Sequence, residues 1–222
     1  MDKGTLYIVS TPIGNLADIT LRAIEVLKSV DSIICEDTRV TGKLLNHLQI
    51  DKKMFALNDF NEAKQVHPLI SRLAAGENIA LVSDAGTPLI SDPGYKLVRE
   101  AIREGIKVES IPGSSSVIVA LIVSGLPPDK ILFVGYLPKK DAKRKILLED
   151  IKKSRQIVKS TIIAFESPFR LLKTLEDVKE IFGDIEIVIC RELTKMHEEV
   201  KRGKVSELIG QTLPKGEITI LL

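Results

Sequence analysis

Apolar and polar positions alternate in short blocks along the first half of the chain. Short apolar runs predict buried strands, and apolar residues spaced three or four positions apart predict helices. The predicted strands are residues 5–10, 32–35, 79–82 and 107–111, and the predicted helices are residues 20–28, 41–48, 61–75 and 95–104. Because strands and helices alternate, this half predicts a mostly parallel sheet with helices on both faces, as in α/β proteins.

A second series of elements follows the sequence Gly-Leu-Pro-Pro-Asp at 125–129, which breaks a helix of small and β-branched residues at 117–123. The predicted strands here are residues 131–135, 161–165, 185–190 and 218–222, and the predicted helices are residues 139–151, 169–182 and 205–209. A charged strand or loop reaches to about Arg202. The break predicts two α/β domains of similar size, 1–124 and 125–222.

Composition narrows the class of protein. The 222 residues are 44% hydrophobic and 28% charged with a net charge of +2, which is typical of soluble proteins and does not by itself indicate a nucleic-acid binder. Cys35 and Cys190 fall inside apolar runs, so we expect core packing in a reducing compartment. The longest apolar stretch is far below the roughly 20 residues that span a bilayer, and no signal-peptide pattern opens the chain. We therefore expect a cytoplasmic protein that is not bound to membranes.

The segment 83–94, Ser-Asp-Ala-Gly-Thr-Pro-Leu-Ile-Ser-Asp-Pro-Gly, joins a predicted strand to a predicted helix. An ordinary strand-to-helix turn needs only about two to six residues. Its glycines allow close approach of the backbone to a ligand, and its prolines restrict its conformations. Since ligands of α/β proteins bind at the carboxyl ends of strands, we predict a ligand-binding loop here.

Five further polar segments lie next to predicted elements, namely 11–20, 36–39, 112–116, 165–170 and 191–195. Simple roles stay open for several of them. Asp37 is a possible helix cap, as are Asp18 and Thr20, and the charges of the last two segments are also compatible with a solvated surface. The serines that follow Pro112 and Gly113 are also suited to binding an anion at a helix start.

Several chemistries find no support in the sequence. The three histidines, His47, His67 and His197, have no metal-ligand spacing, so no metal site is predicted. The chain contains no GxxxxGK[ST] phosphate loop, no GxSxG elbow and no GxGxxG dinucleotide motif. Phosphate transfer, zinc hydrolysis and serine esterase activity are therefore disfavoured.

A basic tract between 139 and 159 is compatible with two interpretations. Its members are Lys139, Lys140, Lys143, Arg144, Lys145, Lys152, Lys153, Arg155 and Lys159. Clustered positive charge suits binding to a phosphate backbone, but a solvated lysine-rich helix has the same composition.

The strings TPIGNLADIT, EDTR, LVSDAGTPLISDPG, IPGSSS, GYLPKK, FESPFR and RELTK occur in this order. Together they resemble the ribosomal RNA small-subunit methyltransferase I family of the tetrapyrrole methylase superfamily, over about residues 4–204. The resemblance implies an enzyme that uses S-adenosylmethionine to methylate the ribose 2′-hydroxyl of a cytidine in the decoding region of 16S rRNA, in the small ribosomal subunit. It also implies two α/β domains with the cofactor in the cleft between them, and a homodimer.

The resemblance assigns cofactor contacts by position in both domains. These are Pro12, Asp84, Gly86, Thr87, Pro88, Ile90, Ser115, Ser116, Phe165, Gly216, Glu217 and Ile218.

For the chemistry, our hypothesis is that Glu36 or Asp37 polarises the 2′-hydroxyl while Arg39 and Arg191 hold flanking phosphates, with Glu166 and Lys195 as further candidates. The candidate RNA-binding residues are Arg191, Lys195, Lys139, Lys140, Arg144 and Lys145. Two alternatives stay open: methylation of a small, tetrapyrrole-like molecule, and an RNA-binding assembly factor without catalysis.

Overall fold

A computed structural model describes residues 2–211 and 215–222. The chain divides into two compact units, Met1–Ser115 and Ser116–Leu222. Each unit contains one five-stranded sheet and its own helices. The α/β class predicted from the alternation of elements is confirmed in both.

The first unit has an all-parallel sheet with the strand order β3-β2-β4-β1-β5. Its strands are β1 Thr5–Val9, β2 Ser32–Cys35, β3 Lys53–Ala56, β4 Ile79–Leu81 and β5 Lys107–Ile111. Its helices are α1 Leu21–Ser29, α2 Thr38–His47, α3 Glu62–Ala74 and α4 Tyr95–Arg103, with a short 3₁₀ turn at Leu16–Asp18. The parallel arrangement predicted for this half is confirmed.

Both faces of the first sheet are covered by helices. Leu6 and Ile8 of β1 belong to a buried cluster with Leu69 of α3 and Leu97 of α4. Since successive strand residues point to opposite faces, Val9 lies on the other side, in a cluster with residues of α1 and α2. Helices on both faces bury the central strands β2 and β4 fully, which is typical of parallel sheets, while the edge strands β3 and β5 are partly exposed.

The second unit has a mixed sheet with the strand order β6-β7-β10-β8-β9, in which only β6 and β7 run parallel. Its strands are β6 Ile131–Tyr136, β7 Thr161–Glu166, β8 Glu186–Arg191, β9 Glu199–Lys204 and β10 Ile218–Leu221. Its helices are α5 Ser116–Ser124, α6 Asp141–Ile157, α7 Leu171–Phe182 and α8 Val205–Ile209. The last strand of the chain therefore lies at the centre of this sheet.

Two elements add to the sequence prediction. Strand β3, absent from the prediction, lies at the edge of the first sheet, and the charged segment near Arg202 forms strand β9. The second unit begins at Ser116, whereas the predicted boundary lies at 124/125, so helix α5 falls in the second unit. There it contacts β8, β9 and β10.

Other expectations concern isolated side chains and membranes. Cys35 and Cys190 are buried free thiols, as predicted from their apolar surroundings. Within residues 2–211 and 215–222, no helix combines the length and apolar character that crossing a membrane requires. Over the same residues, no three His, Cys, Asp or Glu side chains are grouped as a metal site would require.

Candidate functional site

The parallel order of the first sheet brings polar loops to one edge. The carboxyl ends of β2, β4, β1 and β5 are neighbours there, in that order. The loops that leave these strands begin at Glu36, Val82, Ser10 and Pro112. We call this edge, with its four loops, the first sheet edge. It gathers every predicted site residue of the first unit, since each of them belongs to one of these loops or to the start of α2.

The loop at 83–94 is held against β1 and the 112–116 loop by a small hydrogen-bond network. The Thr11 N–H donates to the Gly86 carbonyl at 2.9 Å, and the Gly86 N–H donates to the Thr11 carbonyl at 3.1 Å. The Thr87 hydroxyl donates to the Ser114 carbonyl at 3.0 Å and lies 3.1 Å from the Ser10 hydroxyl. Two residues predicted to contact a cofactor, Gly86 and Thr87, therefore fasten the loop to its neighbours.

The backbone of this loop is strained, as often occurs at ligand sites. Gly86 has a φ of +83°, and a Cβ placed on it would lie 3.0 Å from the Ile13 side chain. Leu89 and Ser91 also have positive φ values, of 76° and 69°, which side chains disfavour. Only a backbone that is fastened at several points retains these conformations.

Glu62 is a site residue that the sequence analysis missed. Its side chain is buried, and Oε1 accepts hydrogen bonds from the N–H groups of Gly94 at 3.1 Å and Lys96 at 2.9 Å. This carboxylate caps α4 and fixes the end of the 83–94 loop. The sequence carries no signal for this role, because the partners of Glu62 are more than 30 residues away.

Carboxyl groups concentrate at the first sheet edge, between β2 and β4. Glu36 is half-buried, and its pKa is raised, first by burial and then by the negative charges of Asp84, Asp92, Asp59 and Asp37. Burial also raises the pKa of Asp84, although its Oδ1 accepts a 3.0 Å hydrogen bond from the Asp37 N–H that opposes the shift. Such an edge favours a positively charged ligand, which lowers these pKa values on binding.

Asp37 differs from Glu36 and Asp84, because its pKa is lowered. Its carboxylate accepts a hydrogen bond from the Arg39 N–H at 2.8 Å, capping α2, and pairs with the Arg39 guanidinium at 2.5 Å. These hydrogen bonds with Arg39 lower the pKa of Asp37 to about 2. Asp37 is therefore a weak proton acceptor. Of the two carboxylates considered for proton transfer, Glu36 is the stronger base, because its pKa is raised and that of Asp37 is lowered.

In the second unit, the strand pairing brings three predicted segments together. Ile218, the first residue of β10, pairs with Glu166 on one side and with Arg191 on the other. The carboxyl ends of β6, β7 and β8 and the start of β10 therefore form one edge, which we call the second sheet edge. Phe165 lies there within an aromatic cluster, 5.0 Å from Phe133 between ring centres.

Glu166 was predicted as a catalytic candidate, and the structure corrects this. Its side chain is 0% exposed, its Oε1 is 2.5 Å from the Arg170 guanidinium, and its Oε2 accepts a hydrogen bond from the Thr174 hydroxyl at 2.6 Å. Ser167 donates its N–H to the same carboxylate at 2.6 Å. With no surface open to a substrate, Glu166 holds the turn between β7 and α7.

Arg191 and Lys195 lie at the second sheet edge but are engaged with acidic partners. Arg191 pairs with Glu199 at 3.1 Å. Lys195 lies 3.0 Å from Glu192 and 3.2 Å from Glu217, and Glu192 also accepts the Glu217 N–H at 2.9 Å. This network fixes the turn at 216–218, which was predicted to contact the cofactor.

Arg144 was predicted to bind RNA, and this is wrong. Its side chain is 1% exposed, and it pairs with Asp177 at 2.6 Å and with Asp141 at 3.1 Å. It shares a helix face with Leu148 and Ile151, which are core residues, so it points inward. Lys145 is half-buried and pairs with Glu180 at 2.5 Å, whereas Lys139 and Lys140 are exposed.

The remaining predicted cofactor residues differ in exposure. Pro12 and Pro88 are buried within the loops of the first sheet edge, Ile90 is exposed, and Ser115 and Ser116 are half-buried at the start of α5.

Comparison with known protein families matches residues 5–209 to the family described as Tetrapyrrole (Corrin/Porphyrin) Methylases. Solved structures agree with this fold. A diphthine synthase superposes with a TM-score of 0.76 at 15% identity, covering 98% of this chain and 89% of that one. The uroporphyrin-III-C-methyltransferase of Thermus thermophilus gives a TM-score of 0.65 at 21% identity, covering 99% of this chain and 94% of that one. These structures show the fold, and the family match over residues 5–209 places the chain among the tetrapyrrole methylases.

Curated relatives narrow the class. A protein of Thermotoga maritima named Ribosomal RNA small subunit methyltransferase I is 49% identical, over 99% of this chain and 98% of its own length. Proteins with the same name from Halalkalibacterium halodurans and Escherichia coli O157:H7 are 48% and 46% identical, over 76% and 78% of their own lengths and 100% and 99% of this chain. The chain therefore belongs to the ribosomal RNA small subunit methyltransferase I family and is a methyltransferase.

Proposed function

We propose that this protein transfers a methyl group from S-adenosylmethionine to the ribose 2′-oxygen of a cytidine in the decoding region of 16S rRNA. The names of its relatives support a ribosomal RNA substrate. The observation that carries the proposal is the half-buried, acidic first sheet edge, where Glu36 has a raised pKa next to a fastened ligand loop.

The residues at this edge fit the proposed cofactor. S-adenosylmethionine carries a positive sulfonium and an ammonium group, and Glu36 and Asp84 provide complementary negative charge. A Cβ at Gly86 would lie 3.0 Å from the Ile13 side chain, and the φ of +83° also favours glycine at this position of the loop. When bound, the cofactor supplies an electrophilic methyl group.

In this proposal, Glu36 accepts the proton that leaves the 2′-hydroxyl. A carboxylate with a raised pKa is a stronger base than an ordinary glutamate, and proton transfer by a positioned side chain contributes about 10²- to 10⁴-fold to a rate. Asp37 serves by capping α2 and by orienting Arg39, whose side chain is 87% exposed and able to meet a phosphate.

The second sheet edge carries further predicted cofactor and RNA residues. Phe165 and the 216–218 turn contact the adenosyl part of the cofactor, as the family resemblance implies. Lys195 acts through Glu192 and Glu217 to hold that turn. Arg191 is a weaker candidate RNA contact, because its side chain is 15% exposed and pairs with Glu199. Lys139 and Lys140 are retained as RNA contacts because they are exposed. Lys145 is a weaker contact because Glu180 neutralises it.

Three further expectations belong to the proposal. The substrate is the small ribosomal subunit, the protein acts as a homodimer, and it resides in the cytoplasm. Sedimentation of the purified protein tests the dimer, and cell fractionation tests the compartment.

The proposal is tested with labelled S-adenosylmethionine, the purified protein and small ribosomal subunits from cells that lack the modification. The label is mapped to a nucleotide, and the adjacent linkage is tested for resistance to alkali, which marks a blocked 2′-hydroxyl. Alkali-resistant label at one decoding-region cytidine is the expected result.

Two results would overturn the proposal. Label on a base, or on a small-molecule acceptor in place of rRNA, would indicate a methylase with another substrate. Cofactor binding without transfer to any ribosomal substrate would favour an RNA-binding assembly factor.

A further inference from the structure

The turn between β7 and α7 presents an exposed aromatic ring. Phe169 is 88% exposed, although burial of an aromatic ring is strongly favourable. No other aromatic residue of the second unit's described part is as exposed, since Tyr136 is 59% exposed and Phe165 is half-buried. An exposed ring in this position is accessible to a ligand.

The backbone that carries Phe169 is fixed. The Arg170 N–H donates to the Ser167 carbonyl at 3.0 Å, and the Thr174 N–H donates to the Arg170 carbonyl at 3.0 Å. The buried Glu166 carboxylate contacts all three of these neighbours, at Ser167, Arg170 and Thr174. Phe169 is therefore held outward by a rigid turn, so a ligand that stacks on it orders little of the chain.

Contacts from the same turn place the β6–α6 loop beside it. Arg170 donates to the Leu137 carbonyl at 3.0 Å, and Lys173 pairs with Asp141. The four steps from Leu137 to Asp141 span at most about 14 Å. Lys139 and Lys140, which lie between these two anchored residues, therefore share a surface with Phe169.

The lysines of this surface carry uncompensated charge. Lys139, Lys140 and Lys143 are exposed, and none takes part in an ion pair within the part of the chain that the structure describes. Their neighbours Lys145 and Lys173 differ, because acidic side chains neutralise both. These lysines and the rigid aromatic ring beside them form what we call the Phe169 platform: Phe169, Lys139, Lys140 and Lys143.

We propose that the Phe169 platform binds a single-stranded segment of the RNA substrate, with a base stacked on Phe169 and neighbouring phosphates held by the three lysines. Aromatic rings combined with a basic surface are the usual means of binding unpaired nucleotides. This inference rests on the proposed function for the identity of the RNA. It adds a base-stacking residue that acts away from the reacting atoms.

Charge favours RNA over a second copy of this chain as the occupant. In a two-fold contact through this surface, Lys139, Lys140 and Lys143 of both copies would approach each other, and like charges across an interface are unfavourable. A phosphate backbone supplies the complementary charge.

The platform is tested by fluorescence anisotropy with a fluorescein-labelled single-stranded RNA of mixed sequence. We expect Phe169→Ala to weaken binding by about 5- to 150-fold, since stacking of one base is worth about 1–3 kcal/mol. Phe169→Trp is expected to retain full affinity. Phe169→Leu, which is apolar but has no aromatic face, is expected to behave like Phe169→Ala. Ile157→Ala is the matched control, because Ile157 is 87% exposed at the far end of α6.

Salt dependence separates the two parts of the platform. The combined substitution of Lys139, Lys140 and Lys143 by Gln is expected to reduce the slope of log affinity against log salt, by about 0.7 for each phosphate that the protein no longer neutralises. Phe169→Ala is expected to weaken binding without changing that slope.

The platform is overturned if Phe169→Ala binds this RNA as the wild type does, if Leu restores affinity as well as Trp, or if the wild type does not bind. It is also overturned if Phe169→Ala changes only the sedimentation of the protein, which would indicate a protein interface. Failure of the proposed function looks different: the wild type would bind RNA through Phe169 yet transfer no methyl group to 16S rRNA.

Discussion

The carboxylate of Glu62 accepts a hydrogen bond from the backbone N–H of Gly94 at 3.1 Å, joining α3 to the start of α4. Gly94 is the N-cap residue of α4 and has no side chain to cap the helix. Glu62 takes over this role, and it also accepts the Lys96 N–H at 2.9 Å. The end of the ligand loop at 83–94 is thereby fixed from a distant helix.

Replacing Glu62 by Ala is expected to lower both stability and cofactor affinity. The substitution leaves the buried N–H of Gly94 and the partly buried N–H of Lys96 without this acceptor, at a cost of about 1–3 kcal/mol. Urea unfolding measures the stability, and titration calorimetry with S-adenosylmethionine measures the affinity. Glu25→Ala is the control, since Glu25 is exposed on α1. Unchanged cofactor affinity in Glu62→Ala would show that the loop does not depend on this anchor.

Glu36 and Asp37 are adjacent but are expected to respond differently to substitution. Glu36→Gln removes the proposed proton acceptor and is expected to lower the rate of methyl transfer by about 10²-fold or more. Asp37→Asn is expected to lower it much less, because the pKa of Asp37, about 2, makes it a weak base. Rates are measured with saturating RNA and cofactor. If both variants transfer at the wild-type rate, neither carboxylate has the proposed role.

The pH dependence of kcat/KM for S-adenosylmethionine follows from the raised pKa of Glu36, because this ratio reports the pKa values of the protein without bound ligand. Burial is the largest cause of the shift, followed by nearby carboxylates that include Asp59. Since the base acts deprotonated, this ratio is expected to fall on the acid side at a pH above the ordinary glutamate pKa of about 4.3. Asp59→Asn removes a negative charge and is expected to move this limb to lower pH, while Asp129→Asn leaves it unchanged. A limb that moves equally in both variants would exclude Glu36 as its origin.

Stability is expected to change with pH in the opposite sense to an ordinary salt bridge. Because the folded state raises the pKa of Glu36, folding disfavours its charged form, so this group destabilises the protein above its folded pKa. Below the ordinary glutamate pKa of about 4.3 both states are protonated and the penalty disappears. Glu36→Gln is therefore expected to raise the urea midpoint at pH 7 but not at pH 4. An equal change at both pH values would contradict this origin.

The Arg144–Asp177 pair is expected to be structural. Both side chains are buried, so Arg144→Ala removes the closest partner of the Asp177 carboxylate and leaves it a 3.7 Å ion pair with Lys145. The substitution is expected to cost about 3–5 kcal/mol of stability. The affinity of the folded variant for RNA is expected to match the wild type. Lys140→Ala is expected to have the opposite effects: it changes stability little and weakens RNA binding. Weaker RNA binding by a stable Arg144 variant would restore the prediction that the structure corrects.

The sequence predicts those elements of the fold that are marked by a pattern in their own residues. The apolar strands β1, β2 and β4 and the long loop at 83–94 have strong local signals and were predicted. Strand β3 was missed although its residues Met54, Phe55 and Ala56 are apolar, because the run is short and lies at a half-exposed sheet edge. The central place of β10 in the second sheet depends on pairing with strands distant in sequence.

The roles of single side chains likewise depend either on a local sequence pattern or on contacts with residues distant in sequence. Arg144 lies four and seven residues before Leu148 and Ile151, a spacing that indicates the buried face of α6, but its membership of a basic tract obscured this signal. Glu166 directly follows buried strand residues, yet only the structure shows the partners that enclose it. Glu62 has no sequence signal for its contact with Gly94, because tertiary structure alone brings them together.

The central claim is that the acidic first sheet edge directs methyl transfer to a ribose 2′-oxygen of 16S rRNA. The most direct measurement is mass spectrometry of nuclease fragments of 16S rRNA from a strain that lacks this protein, complemented with the wild type or with Glu36→Gln. The account predicts one added methyl group on the ribose of a decoding-region cytidine with the wild type, and its loss with Glu36→Gln at equal protein level. A methyl group located on the base, or full ribose methylation by Glu36→Gln, would contradict it.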